Sequence, residues 1–121
     1  MLKDDFYAII TKDFQPGSIK ASIKLNRYHH IFEGHFPGNP VMPGVCMVQL
    51  VKEFMEDAWS VPLRITASSS IKFLSVIDPG KEIQINLTVD YSTERDGYAV
   101  QASLFWEQNI YFKFKGTLEA I

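Results

Sequence analysis

The amino-acid sequence predicts an α+β fold in which a curved antiparallel sheet of five or six strands wraps one central helix. Three observations predict it. Apolar and polar residues alternate in four separate stretches of the 121 residues, the signature of strands with one buried face. Only one segment carries the periodicity of a long helix. That helix is apolar around too much of its circumference to lie on a surface, so other elements must enclose it. The length suits one domain spanning residues 1–121.

The elements follow in order. Phe6 to Phe14 can form a first strand, turned at Pro16-Gly17 into a second in which Ile19, Ala21, Ile23 and Leu25 alternate with Lys20, Ser22 and Lys24. The helix runs from about Gly44 to Trp59. Its polar residues Gln49, Lys52, Glu53, Glu56 and Asp57 fall on one stripe at helical spacing. Val45, Cys46, Val48, Leu50, Val51, Phe54, Met55 and Ala58 cover the rest. Ile65 to Ser75 is a longer, less regular strand with Ile71 and Phe73 on one side. Ile83, Ile85, Leu87, Val89 and Tyr91 define the next strand. Tyr98, Val100, Ala102, Leu104 and Trp106 define another, and Ile110, Phe112 and Phe114 the last. Turn signals separate them at Asp78-Pro79-Gly80, Asp96-Gly97 and Gln108-Asn109. The hotdog fold fits this pattern best; a helix lying on an open sheet is the alternative.

Composition narrows the functional classes. Twelve basic and fourteen acidic residues leave a net charge of -2, which disfavours nucleic-acid binding by phosphate neutralisation. No stretch approaches the roughly 18 apolar residues of a membrane span. The start, Met-Leu-Lys-Asp-Asp-Phe, is acidic where a signal peptide would be basic and then apolar. The single cysteine, Cys46, excludes an intrachain disulfide. A reduced, cytoplasmic setting is expected.

The chemistry concentrates in the connection Asn26 to Pro43 and the start of the helix. All three histidines lie there, with three of the six prolines, a composition that specifies a fixed path. In His35-Phe36-Pro37-Gly38-Asn39-Pro40-Val41-Met42-Pro43-Gly44-Val45, Pro43 suits the first helical turn. Gly44 then offers a bare backbone N–H at the positive end of the helix dipole, as an oxyanion hole requires. His35 can supply a base near neutral pH. A base beside a polarised carbonyl is what proton removal alpha to a thioester needs; a structural loop with a hydrogen-bonded histidine is the other reading.

The run His35 to Val45 resembles the signature of the (3R)-3-hydroxyacyl-(acyl carrier protein) dehydratases. Ile31-Phe32-Glu33-Gly34 before it fits the same pattern, as do Lys72-Phe73-Leu74 and Ile77-Asp78-Pro79-Gly80. The match covers about a quarter of the chain. The resemblance implies a hotdog homodimer, or an oligomer of such dimers, with active sites at the subunit interface. It implies His35 as the catalytic histidine, Gly44 as the carbonyl-polarising amide, and no metal or organic cofactor. Substrates would be thioesters of acyl carrier protein or CoA. Candidate acyl-pocket residues are Phe32, Phe36, Met42, Val45 and Phe73, any of which can equally be ordinary core.

One departure matters. The second catalytic residue of the family, a Glu or Asp on the helix from the other subunit, falls on Gln49, which hydrogen-bonds but does not ionise. Here the order is Gln49-Leu50-Val51-Lys52-Glu53, so the usual carboxylate and amide have exchanged places one turn apart. A hydrogen-bonded Gln49–Glu53 pair is expected if Glu53 serves through Gln49 or a water; otherwise Glu53 joins Glu56 on the solvated stripe. Three functions remain open: a dehydratase giving trans-2-enoyl thioesters, a hotdog thioesterase, and a non-catalytic subunit that binds acyl carriers. Weaker signals are a metal site at His29, His30, Glu33 and His35, whose spacing matches no standard pattern, and Cys46 in a helical first turn, where a thiol pKa can fall. Lys20, Lys24, Arg27, Lys72, Lys113 and Lys115 offer a patch for an acidic carrier, or simply a wet sheet face. Asn86-Leu87-Thr88 matches a glycosylation acceptor inside a strand.

Overall fold

A computed structural model describes residues 2–34, 38, 40–81 and 84–121. Six strands form one antiparallel sheet: β1 (Tyr7–Gln15), β2 (Ser18–Leu25), β3 (Leu63–Phe73), β4 (Gln84–Thr93), β5 (Gly97–Trp106) and β6 (Asn109–Ala120). Their spatial order is β1-β2-β4-β5-β6-β3. A one-turn helix α1 (Ile31–Gly34) interrupts the long connection, and α2 (Gly44–Trp59) has the bounds its periodicity predicts. α2 ends on Ser60, whose φ of 55° lies in the left-handed region.

The core forms where the apolar face of the sheet meets the helix. Ile19 and Ile23 of β2, Ile85 and Val89 of β4, Leu104 of β5 and Phe112 of β6 are fully buried, and Leu50, Phe54 and Met55 of α2 meet them. The aromatic cap at the end of α2 is a second cluster: Trp59 stacks on Tyr98, with Tyr91 edge-on to both. Lys12 of β1 pairs with Asp57 of α2 at 3.0 Å.

One expectation from alternation is corrected by a bulge, and the edge position of β3 sets the exposure of its residues. Ile110 was expected on the core face with Phe112 and Phe114. Instead the register slips between Leu104 and Phe105, so Tyr111 is the inserted, buried residue and Ile110 is 39% exposed. β3 is irregular because it is bulged twice against β6, around Thr66 and Ser69. It is also an edge strand, so Ile71 and Phe73 are not covered by this chain and are 41% and 56% exposed. Gly97 and Gly116 answer to close packing: a Cβ at Gly97 would lie 2.0 Å from the Leu118 carbonyl, and at Gly116 2.4 Å from that of Ala67.

Candidate functional site

The helix α2 begins at Gly44, so Pro43 stands one place before the first turn in which it is expected. Pro43 is the N-cap, in an extended conformation and with no side-chain cap among the described residues. The first N–H groups of a helix have no intrahelical acceptor, and among the described residues none accepts from Gly44 or Val45, which have the positive end of the dipole behind them. The Pro43 carbonyl accepts from Cys46 N at 3.0 Å, and the Met42 N–H donates to the Ile77 carbonyl at 2.8 Å, tying the residues that enter the helix to the segment after β3. Gly44 is half-buried, and the ring of Phe73 covers it closely. His35 and Phe36 lie outside the described residues.

The other predicted pocket residues divide. Phe73 and Val45 (74% exposed) border Gly44 on an open surface. Phe32 and Met42 are buried. Phe32 stacks on Phe6 at 5.2 Å, so the packing it makes here is that of the core.

Gln49 and Glu53 are brought together: the Gln49 Nε2 donates to Glu53 Oε2 at 3.0 Å. The reading that puts Glu53 on the solvated stripe is corrected, because its residue exposure is 2%. The cause is the N-terminal segment, which folds over this turn of the helix. Leu2 N donates to both carboxyl oxygens at 3.0 and 2.9 Å, Lys3 N to Oε1 at 3.0 Å, and the Tyr7 hydroxyl to Oε1 at 3.3 Å. A buried carboxyl group is tolerable only when satisfied in this way. Glu56, in contrast, is half-buried and caps the chain beyond the helix by accepting from Leu63 N at 2.8 Å. Sequence reasoning missed Leu2, Lys3 and Tyr7 as partners of Glu53, since nothing local marks a contact made across about 50 residues of chain.

Burial first, and then the charge and hydrogen bond of Glu53, push the Tyr7 hydroxyl far above its ordinary range. Burial, then Glu53, also raises the Cys46 thiol. The lowered thiol pKa that a helical first turn permits is therefore not realised. A cleft of about 390 Å³ opens beside this network, lined by Lys3, Tyr7, Glu53, Asp57 and Val61 among others.

His29 is held by both ring nitrogens: Nε2 faces Asp5 Oδ2 at 3.0 Å, and Nδ1 accepts from Ile31 N at 3.1 Å. Neither nitrogen is left for a metal. Five of the six basic residues share the outer face of the sheet. Lys20, Thr88, Ser103, Lys113 and Lys72 pair in one cross-strand row, with Lys24 and Lys115 on the same face. Arg27 lies apart, beyond the end of β2, against the exposed ring of Tyr28.

An antiparallel sheet around one long helix is the architecture of the hotdog proteins. The chain belongs to the ApeI-like family: its residues 11–110 match the family described as ApeI dehydratase. It is 32% identical over 97 residues to a 3-hydroxyacyl-(acyl carrier protein) dehydratase, FabZ, of Lactobacillus helveticus, covering 70% of this chain and 63% of that protein. It is 31% identical over 98 residues to FabZ of Latilactobacillus sakei, covering 69% and 66%. The chain thus spans less than two thirds of the length of these curated relatives. Among solved structures, the dehydratase heterocomplex ApeI:P from Xenorhabdus doucetiae superposes with a TM-score of 0.75 at 18% identity, over 93% of this chain and 96% of that one. An uncharacterised protein from Erwinia carotovora gives a TM-score of 0.70 at 19% identity, with 94% of each chain covered. Both carry the fold. No helix among the described residues is long and apolar enough to cross a membrane.

Proposed function

We propose that this chain, as one hotdog unit, removes water from 3-hydroxyacyl thioesters to give trans-2-enoyl thioesters, as a dimer with composite sites. The observation that carries the reading is the uncapped, glycine-headed α2, in a chain whose family is described as a dehydratase. In the reaction His35 takes the alpha proton. The thioester oxygen gains charge, and the Gly44 N–H stabilises it. The C–O bond at the beta carbon then breaks, Gln49 orients the leaving hydroxyl, and the proton held on His35 leaves with it as water. Every proton is accounted for without a second acid, at a cost in rate of about 10²–10⁴ relative to a site that has one.

What supports dimerisation is the surface left open. Val45, Val48, Gln49 and Lys52 fall on one stripe of α2 at helical spacing, and none of the four is buried. Ile71 and Phe73 at the end of the edge strand β3, with Leu74 and Val76 just after it, expose between 41% and 68% of their surface, and Phe73 reaches Gly44 at the head of the helix. An apolar edge of this kind invites a partner. Carrier-linked substrates are the class named for the FabZ relatives, and the lysines of the outer sheet face suit an acidic carrier.

Gln49 favours one second reading, a subunit that binds the acyl carrier and leaves the chemistry to another chain; a structural relative is described as a heterocomplex. One experiment separates the two. The purified protein is given 3-hydroxyacyl thioesters of several chain lengths on CoA and on acyl carrier protein, and enoyl product is followed. Product formation that disappears in His35→Ala supports the dehydratase. Tight acyl-carrier binding without product, unchanged by His35→Ala, supports the carrier-binding subunit.

A further inference from the structure

We infer that Glu53 is a positioning residue that fixes the side-chain amide of Gln49 with its carbonyl oxygen directed away from Glu53, so that the site selects a hydroxyl over a ketone at the 3-position of the acyl chain. The inference rests on the reading above in one respect, that Gln49 meets the substrate. Its remaining premises are geometric.

An amide group presents an acceptor on one side and a donor on the other, and which faces where is decided by its partners. Among the described residues Gln49 has one hydrogen-bond partner, Glu53. Both oxygens of Glu53 already accept hydrogen bonds: Oε1 from Lys3 N and Tyr7, and both from Leu2 N. The Gln49 atom facing Oε2 at 3.0 Å is therefore the amide nitrogen. Its Oε1 is directed elsewhere. Gln49 is half-buried and one turn along the same stripe from the exposed Val45. An oxygen presented there accepts from a 3-hydroxyl and opposes a 3-ketone, which has only lone pairs to offer.

The network also states what its inversion requires. Oε1 of Glu53 takes three of the contacts, and Oε2 takes Gln49 and a share of Leu2. In Glu53→Gln the carbonyl oxygen stays where the donors crowd, at Oε1. The new amide nitrogen then faces Gln49, which must turn its own oxygen inward and its NH₂ outward. The group offered to the ligand changes from acceptor to donor, and the preference between hydroxyl and ketone reverses.

Matched 3-hydroxyoctanoyl- and 3-oxooctanoyl-pantetheine amides are titrated calorimetrically into three proteins; the first resists turnover because an amide acidifies its alpha proton less than a thioester does, and the second has no hydroxyl to lose. The native chain is expected to favour the hydroxyl by about tenfold, the weight of one hydrogen bond. Glu53→Gln is expected to favour the ketone, and Gln49→Met to bind both alike. Without ligand, one Gln49 side-chain amide proton in the native protein is expected downfield and slow to exchange in NMR spectra, and that signature is expected to vanish in Glu53→Gln. Equal binding by the native chain overturns the inference. So does a native-like preference in a well-dispersed Glu53→Gln or in Gln49→Met, which also decides the matter should Glu53→Gln fail to fold. Failure of all three proteins to bind either amide overturns the proposed function itself, whereas binding without reversal overturns the positioning role alone.

Discussion

The ring of Phe73 lies so close to Gly44 that a Cβ added there would sit 2.7 Å from its Cζ. The residue that heads the helix and a pocket candidate from β3, 29 positions later in the chain, are thus in direct contact. Gly44→Ala tests what that contact is for. The first turn of a helix accepts alanine without cost, and Phe73 is more than half exposed, so its ring can swing aside. Thermal stability is expected to hold within a few degrees. Dehydratase activity is expected to fall by tenfold or more, because the methyl group blocks approach to the N–H. Adding Phe73→Ala removes the ring but not the methyl, so activity stays low. Recovery in the double variant would assign the loss to the displaced ring.

Glu53→Ala is expected to cost roughly 2–4 kcal/mol, since it leaves two backbone N–H groups and a tyrosine hydroxyl inside the protein without an acceptor. Urea unfolding of this variant beside the native chain measures the loss. Amide exchange at Leu2 and Lys3 is expected to accelerate as the N-terminal segment lifts from α2. A cost below about 1 kcal/mol would mean that water replaces the carboxyl group.

The pH dependence follows from two groups raised for the same reason. Tyr7 is raised by burial, then by Glu53 and more weakly by Asp57 and Asp4, so the folded chain keeps its proton where the unfolded chain, with an ordinary value of 10.0, loses it. Its contribution is complete below pH 10 and declines above, by about 1.4 kcal/mol per pH unit. Tyr7→Phe is expected to cost about 0.5–1 kcal/mol at neutral pH and to remove most of that alkaline slope; a slope that persists would point to other groups. Cys46 is expected to resist alkylation at pH 8 in the folded protein and to react on unfolding. Rapid labelling of the native chain would contradict its burial.

The helix was legible to within a residue or so at each end, because its apolar periodicity starts after Pro43 and stops at Trp59; the left-handed Ser60 that ends it was not. Four of the strands were legible from alternation, which reports a sheet with one dry face; β1 and β3, whose burial does not alternate, were read less surely from turn signals and β-forming composition. The bulges were not legible. A slip such as that at Tyr111 preserves apolar composition while reversing which neighbour faces inward. The exposure of Ile71 and Phe73 was invisible for a related reason: nothing in the local sequence of a strand marks it as lying at the edge of the sheet. In the site, the Gln49–Glu53 pair was legible because it is local, one helical turn. The burial of Glu53 was not, because it depends on residues 2, 3 and 7 arriving from the far end of the chain.

Complementation tests the composite site. If His35 of one subunit works with Gln49 of its neighbour, His35→Ala and Gln49→Leu each disable both sites of their own dimer. After denaturation and co-refolding of an equal mixture, about half the dimers are mixed, and each mixed dimer carries one site with both native residues. Activity is then expected to return to roughly a quarter of the native value. Val76→Glu, which places a charge on the exposed apolar edge without touching the helix start, is expected to shift the native protein from dimer to monomer on size exclusion and to abolish activity. If the mixture stays as inactive as its parents while the native protein elutes as a dimer, the two residues belong to one protomer. A monomeric native chain that still turns over substrate would remove the partner from the mechanism altogether.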